Sequence, residues 1–269
     1  MRNYSIFLSL LAFSLFLFAC QQEPQVKDDL KVSNETLSQI ASAGYNHTGV
    51  TAEFNENGVV VYRVEGCYEF TGEDLANLGS QSQALLISEE QYRTNLLVTG
   101  LPRVIKVALN NRLPSSYAAA LDLALSRYNA ENLQLTFQRV TTGANITFVP
   151  SPKNAGYLAS AGFPTSNGNP YSQIKINVNA IAGQPQATIA SIMAHEIGHC
   201  IGFRHTDYMD RSYSCGGSYY NEGASSVGAV LIPGTPTGPD ANSWMLSCIG
   251  SGDDRPFNNN DKTALNYLY

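Results

Sequence analysis

Apolar residues along the second half of the chain recur with two periods, and the period changes from element to element. Ile105, Val107 and Leu109 alternate with Lys106 and Ala108, the two-residue period of a strand with one buried face. Ala118, Leu121, Leu125 and Tyr128 then fall three and four apart, which predicts a helix capped by Ser115 or Ser116. Alternation returns in Leu133, Leu135 and Phe137, again in Ile146 and Phe148, and in Ile174, Ile176 and Val178 against Lys175, Asn177 and Asn179. Residues 187–201 follow as a second helix. Strand, helix, two or three strands and a helix make an α+β domain.

The N-terminal half has a different texture. Arg2 precedes an almost wholly apolar run at residues 6–18, and Leu17-Phe18-Ala19-Cys20 resembles a bacterial lipobox. Residues 1–19 are therefore expected to be a lipoprotein signal peptide, with Cys20 lipidated, and ordinary cleavage near Ala19 is the alternative. Residues 20–34 are polar and form a tether. Residues 35–97 make a small unit, with a short helical pattern at Leu37 and Ile40, a strand over residues 59–64, and a helix opened by Thr71. Some sixty residues are few for an independent core. The unit is expected to be a prosegment leaning on the larger unit, residues 98–269.

Chemistry concentrates in His195-Glu196-Ile197-Gly198-His199-Cys200-Ile201-Gly202-Phe203-Arg204-His205, which holds three of the four histidines of the chain. Residues four apart share a helix face, so His195 and His199 can present nitrogens to one ion. Gly202 stands where the helix must stop, since glycine takes the left-handed conformation at little steric cost. The returning chain can then bring in His205. Three imidazole ligands with the fourth position open make a catalytic zinc site, with Glu196 beside it as a base. His47, the fourth histidine, reads as an exposed bystander.

The stretch matches every fixed position of His-Glu-x-x-His-x-x-Gly-x-x-His, and so resembles the zinc signature of the metzincin metallopeptidases. His-Glu-Ile-Gly-His and Phe-Arg-His-Thr-Asp resemble in particular the dual-action HEIGH metallopeptidases. The resemblance implies a metzincin-like fold, with an irregular lower half and a C-terminal helix. It implies that the strand at Ile174 borders the cleft and pairs with substrate. Ser243-Trp244-Met245-Leu246-Ser247 resembles the turn whose methionine, here Met245, floors the zinc histidines. Residues 257–269 should then form the last helix, capped by Asn260 or Asp261. The astacin branch carries a tyrosine two residues after that methionine, where this chain has Ser247. Tyr208, Tyr213 or another loop tyrosine is left to face the oxyanion.

Astacin-like prosegments carry Phe-x-Gly-Asp, whose carboxylate covers the zinc. Val64-Glu65-Gly66-Cys67 resembles that motif with a cysteine in place of the aspartate. Cys67 is thus expected as a fourth ligand in a latent form. The competing readings are a disulfide from Cys67 to Cys200, Cys215 or Cys248, and an inert buried thiol.

The remaining composition narrows the function. A net charge of −6 argues against a nucleic-acid partner. The runs Asp253-Asp254 and 258–261 lack calcium-loop spacing and read as caps and turns, which leaves calcium unsupported. The leading function is a zinc endopeptidase, made as a precursor and exported on a lipid anchor to the outer membrane or cell surface, with release after processing as a further fate. In it a zinc-activated water, deprotonated by Glu196, attacks a peptide carbonyl. One alternative is a zinc hydrolase acting on a non-protein or cell-wall amide. The other is a non-catalytic surface binding lipoprotein, which would have no use for Glu196.

Overall fold

The computed structural model describes residues 30–42, 45, 47–55, 58–64, 68–78, 91–224, 227–236 and 239–269. Cys20 and Cys67, and with them the signal peptide, most of the tether and the residues 65–67 of the prosegment motif, lie outside the described residues.

The smaller unit holds α1 (Asn34–Ser42), β1 (Thr51–Phe54), β2 (Val60–Val64), β3 (Tyr68–Thr71) and α2 (Gly72–Leu78). The strands form an antiparallel sheet in chain order. Thr71 caps α2 as its sequence predicts: its hydroxyl accepts from Asp74 N at 3.1 Å, and Asp74 accepts from Thr71 N at 2.7 Å. This pairs two backbone donors that the first helical turn leaves free. The core of the unit, Ile40, Tyr45, Val64, Tyr68, Phe70 and Leu75, is completed by Phe163 and Val227 from the larger unit. The small unit thus borrows core from its neighbour.

The larger unit runs β4 (Tyr92–Arg93), β5 (Arg103–Leu109), α3 (Tyr117–Asn129), β6 (Leu135–Arg139), β7 (Ile146–Pro150), β8 (Ala159–Ser160), β9 (Gln173–Ile176), α4 (Gln186–Ile201), α5 (Ser212–Cys215), β10 (Val230–Leu231) and α6 (Asn259–Leu268). Its main sheet has the order β6-β5-β7-β9-β8. β6, β5, β7 and β9 are parallel, and β8 returns antiparallel at the edge. Ile105, Val107, Leu135, Phe137, Ile146 and Phe148 point from it into a core shared with α3 and α4. Each fully buried aliphatic side chain of this kind stabilises the fold by roughly 1.5–3 kcal/mol before ordering costs. Among the described residues no helix is long and apolar enough to cross a membrane.

Several features differ from expectation. The strand bordering the cleft is β8, whereas the Ile174 strand β9 lies one place inside it. β8 has two residues, too few to leave a periodic signal. Lys175, expected to face solvent, is buried because its ammonium sits 2.6 Å from Glu53 and 3.1 Å from Glu69 of the small unit. The buried face of α3 uses Tyr117, Ala120 and Ala124 with Leu121, Leu125 and Tyr128, while Ala118 turns partly outward, and Ser116 makes no side-chain cap bond.

The last helix is capped by Asn258, not by Asn260 or Asp261. The Asn258 side chain accepts from the backbone of Asn260 and Asp261, and Asp261 accepts in return from Asn258 N at 3.0 Å. Buried Asp261 also receives Gln91 and Ser243 side chains and Trp244 N, so it ties α6 to the loop at Met245. Residues 91–94, assigned by sequence to the 35–97 unit, are hydrogen-bonded into the larger one: Arg204 N donates to Tyr92 O, and Thr94 N to Gly202 O.

Cys215 pairs with Cys248 across 33 residues. A bridge closing a loop of that size contributes about 3 to 4 kcal/mol in the chain-entropy account. Cys200 is free and buried in α4. The pairing removes Cys215 and Cys248 as disulfide partners for Cys67.

Candidate metal centre

α4 carries His195, Glu196 and His199 one turn apart, and ends at Gly202 with φ +113°. A Cβ at Gly202 would meet Leu97 at 2.7 Å and Leu96 O at 2.9 Å, so the position demands glycine on two counts. Gly198, on the helix between the two histidines, faces the loop below. A Cβ there would stand 2.6 Å from Met245 Sδ. The absence of a side chain lets Met245, fully buried, and Trp244 close under the helix.

Each histidine is oriented by an acceptor at Nδ1. His195 donates to Trp244 O at 2.9 Å, His199 to Phe203 O at 2.8 Å, and His205 to a carboxylate oxygen of Glu222 at 2.7 Å. With the proton held at Nδ1, each Nε2 is a bare lone pair. The ligand atoms of the three residues lie within 4.8 Å of one another, with His199 and His205 Nε2 3.2 Å apart. Two bare nitrogens at that distance repel unless a cation lies between them. Tetrahedral zinc with Zn–N of about 2.05 Å calls for ligand nitrogens about 3.3 Å apart, so the set fits the ion. Among the described residues this is the only cluster of three or more such side chains able to hold a metal.

Burial also favours the neutral, metal-binding imidazoles. It lowers the His195 pKa to about 4 and carries His199 and His205 well below their usual range, each further depressed by neighbouring positive charge. Glu196 is pushed well above the carboxylate range, first by burial and then by the charge of Glu69. Its Oε2 is buried without a hydrogen-bond partner among the described residues. A buried carboxylate oxygen left unpaired is costly, and Glu196 lines the same cleft as His195 and His205.

Glu222 is the residue that sequence reasoning misses. It is fully buried, receives His205 and the Tyr68 hydroxyl at 3.1 Å, and lies 3.2 Å from Arg211 and 3.7 Å from Arg204. It sits in a patternless loop 17 residues beyond His205, where no spacing rule reaches. Replacing Glu222 with Gln, which keeps an acceptor oxygen but removes the charge, should weaken metal affinity about 10- to 100-fold while the histidines remain. Competition with a chelator measures this, and unchanged affinity would make Glu222 a packing residue.

Ser247 lines the cleft, and it donates from N at 2.9 Å and from its hydroxyl at 2.8 Å to Asp207. Tyr208 is buried against Tyr92, and Tyr213 donates to Pro239 O. Neither lines the cleft; the tyrosine that does is Tyr157. His47 is exposed.

Three neutral imidazoles aimed at one point, beside a buried and unpaired carboxylate, define a metal-dependent hydrolase centre. The dual-action HEIGH metallopeptidase profile matches residues 61–269, and the chain belongs to that family. It is a metallopeptidase whose motif implies zinc and whose family implies peptide or protein substrates. Two solved structures of myroilysin are similar to it. One has 15% identity and a TM-score of 0.41 over 64% of this chain and 82% of that one. The other has 13% identity and a TM-score of 0.39 over 62% and 83%. No curated protein sequence matches the chain.

Proposed function

We propose that the chain is a metzincin-like zinc endopeptidase, made as a latent precursor, in which Glu196 is the general base. One observation carries the reading: Glu196, with a buried oxygen that has no partner among the described residues, lines the same cleft as His195 and His205, whose Nδ1 atoms, like that of His199, are committed elsewhere. Zinc held by His195, His199 and His205 supplies an acidified water and a charge that polarises the scissile carbonyl. Glu196 takes the proton of the attacking water and hands it to the leaving amine. Met245 and Trp244 keep the ligand helix at a fixed depth. The edge strand β8 borders the cleft, and an extended peptide would lie along it. The test is to mature the full chain, confirm one zinc, and sequence peptides released from casein. Zinc-loaded protein that releases none would overturn the reading.

Latency is supported by the placement of β3. Tyr68 packs its ring 5.5 Å from His199 and 5.6 Å from His205, and its backbone bridges Ala161 in parallel just beyond β8. The buried network of Arg63 and Lys175 with Glu53 and Glu69 fastens the small unit to the sheet edge. Tyr68 immediately follows Cys67 in sequence, and a thiolate there would be the fourth zinc ligand. The precursor with Cys67→Ala should gain peptidase activity without cleavage of the prosegment, and X-ray absorption should lose a zinc–sulfur distance. A mapped disulfide at Cys67 would end this reading. Export on a lipid at Cys20 belongs to the same proposal and is supported by the lipobox-like sequence.

A further inference from the structure

The cleft lined by His195, Glu196 and His205 encloses a cavity of about 290 Å³. Its walls include Ile192, Trp244, Leu246 and Ile249, together with Ser191 and Arg255. A guanidinium in so apolar a wall is unusual unless it has a partner, because burial penalises its charge. Arg255 feels that penalty, its pKa being lowered by burial first of all. Its Nη1 donates to Cys248 O at 2.9 Å. No carboxylate of the described residues forms an ion pair with it. Asp253, Asp207 and Asp261 act on it only through space, and two of them are occupied elsewhere: Asp207 with Ser214 and Ser247, Asp261 with Gln91 and Ser243. Arg211, the other guanidinium of the cavity, already faces Glu222 at 3.2 Å.

The seat of Arg255 is rigid. Its backbone N–H donates at 2.8 Å to Ser191, one turn before His195 on α4. Asp254 holds Arg127 at 2.6 Å and receives the same Ser191 hydroxyl at 2.9 Å. Cys248, whose carbonyl takes the guanidinium, is pinned by the bridge to Cys215. The backbone of Arg255 is thereby fixed to the ligand helix, a turn from His195, and its guanidinium to Cys248 O.

Resting on the peptidase reading above, we propose that this cavity is a specificity pocket for an acidic side chain of the substrate, Asp or Glu, beside the scissile bond, and that Arg255 recognises its carboxylate. The planar guanidinium can meet a carboxylate with two parallel hydrogen bonds. The apolar walls accept the methylenes and strengthen the charge pairing by excluding water. An aliphatic side chain would displace water from the guanidinium and offer it nothing in return. Charge-assisted bonds of this kind predict about 10- to 100-fold preference for Asp or Glu over Asn or Gln.

Two measurements test it. In the first, the zinc-loaded enzyme matured from the full chain digests a peptide library, and the termini at each cut are sequenced. Acidic residues should be enriched at one position flanking the cut. Arg255→Lys should keep a reduced preference, Arg255→Gln should flatten it, and Arg255→Glu should favour Lys or Arg. The second needs no turnover: Trp244 is the only tryptophan and lines the cavity, so its fluorescence reports occupancy in the full chain. N-acetyl-aspartate amide and its glutamate homologue should shift that fluorescence at concentrations where the asparagine and glutamine analogues do not, and Arg255→Gln should abolish the difference. An unchanged cleavage profile in Arg255→Gln, no acidic enrichment in the wild type, or equal responses to acidic and neutral analogues would overturn the proposal. A library left uncut by zinc-loaded enzyme would instead refute the peptidase reading, and the fluorescence titration would then test the pocket alone. Zinc content and circular dichroism verify that each variant is folded. Should Arg255→Gln fail that check, the wild-type profile and the Arg255→Lys profile settle whether the pocket selects acidic side chains.

Discussion

Glu196→Gln protein is expected to bind zinc as the wild type does and to lose about 100- to 10,000-fold in turnover. The amide keeps the shape of the side chain and removes the group that accepts a proton. Glu196 is not among the side chains whose ligand atoms converge on one point, which are those of His195, His199 and His205. Removing it therefore touches proton transfer and leaves the ion in place. The loss corresponds to about 3 to 5 kcal/mol of transition-state stabilisation. It should fall on kcat, because the carboxylate acts after the substrate has bound. Zinc content by atomic absorption and steady-state kinetics on one peptide separate the two effects. A variant that keeps a tenth of the wild-type rate would refute the assigned base. The change also relieves a buried carboxylate of its desolvation, so the variant should unfold no earlier than the zinc-loaded wild type.

His205→Ala is expected to lose zinc on dialysis and peptidase activity with it. Two ligands on one helix cannot close a tetrahedral set, and the truncated side chain also strips Glu222 of its 2.7 Å donor. The loss in affinity should exceed the roughly 10- to 100-fold expected for Glu222→Gln, because a ligand is removed and not only its support. Arg204 and Arg211 still face Glu222 in the variant, so the carboxylate is not left without opposite charge and the fold should survive. Metal-free wild type is the reference for stability. Full zinc occupancy at wild-type affinity in purified His205→Ala would exclude it as a ligand.

The contrast between His205 and Glu222 shows where local pattern stops carrying information. His195, Glu196 and His199 are set by helix geometry, and Gly202 by the conformation that ends a helix, so spacing alone brings these groups together. Met245 is marked by family resemblance and not by spacing; in the fold its Sδ lies against the helix where Gly198 has no side chain. Glu222 acts on His205 through a fold-back of an irregular loop, and no period marks it. Arg255 is silent for the same reason: its meaning comes from Ser191 and Cys248, remote in sequence or joined to it only by packing.

Elements with many residues of one period were readable, and short or borrowed ones were not. β5, β6, β7 and α4 announce themselves because each must bury one face of its own. β8 has two residues and takes its place from β9, so the cleft edge falls one strand away from the expected one. Lys175 looked like a solvent residue because its alternation is correct for a half-exposed strand; a second layer, bringing Glu53 and Glu69, covers it. The α+β class, the ligand triad and the residue beside it were legible in the chain of letters, since each depends on contacts within a few residues or on helix periodicity. The cleft edge, the carboxylate behind His205, the Cys215–Cys248 pairing and the charge in the pocket emerged only with tertiary packing, because each joins residues whose separation along the chain carries no physical constraint until the chain has folded.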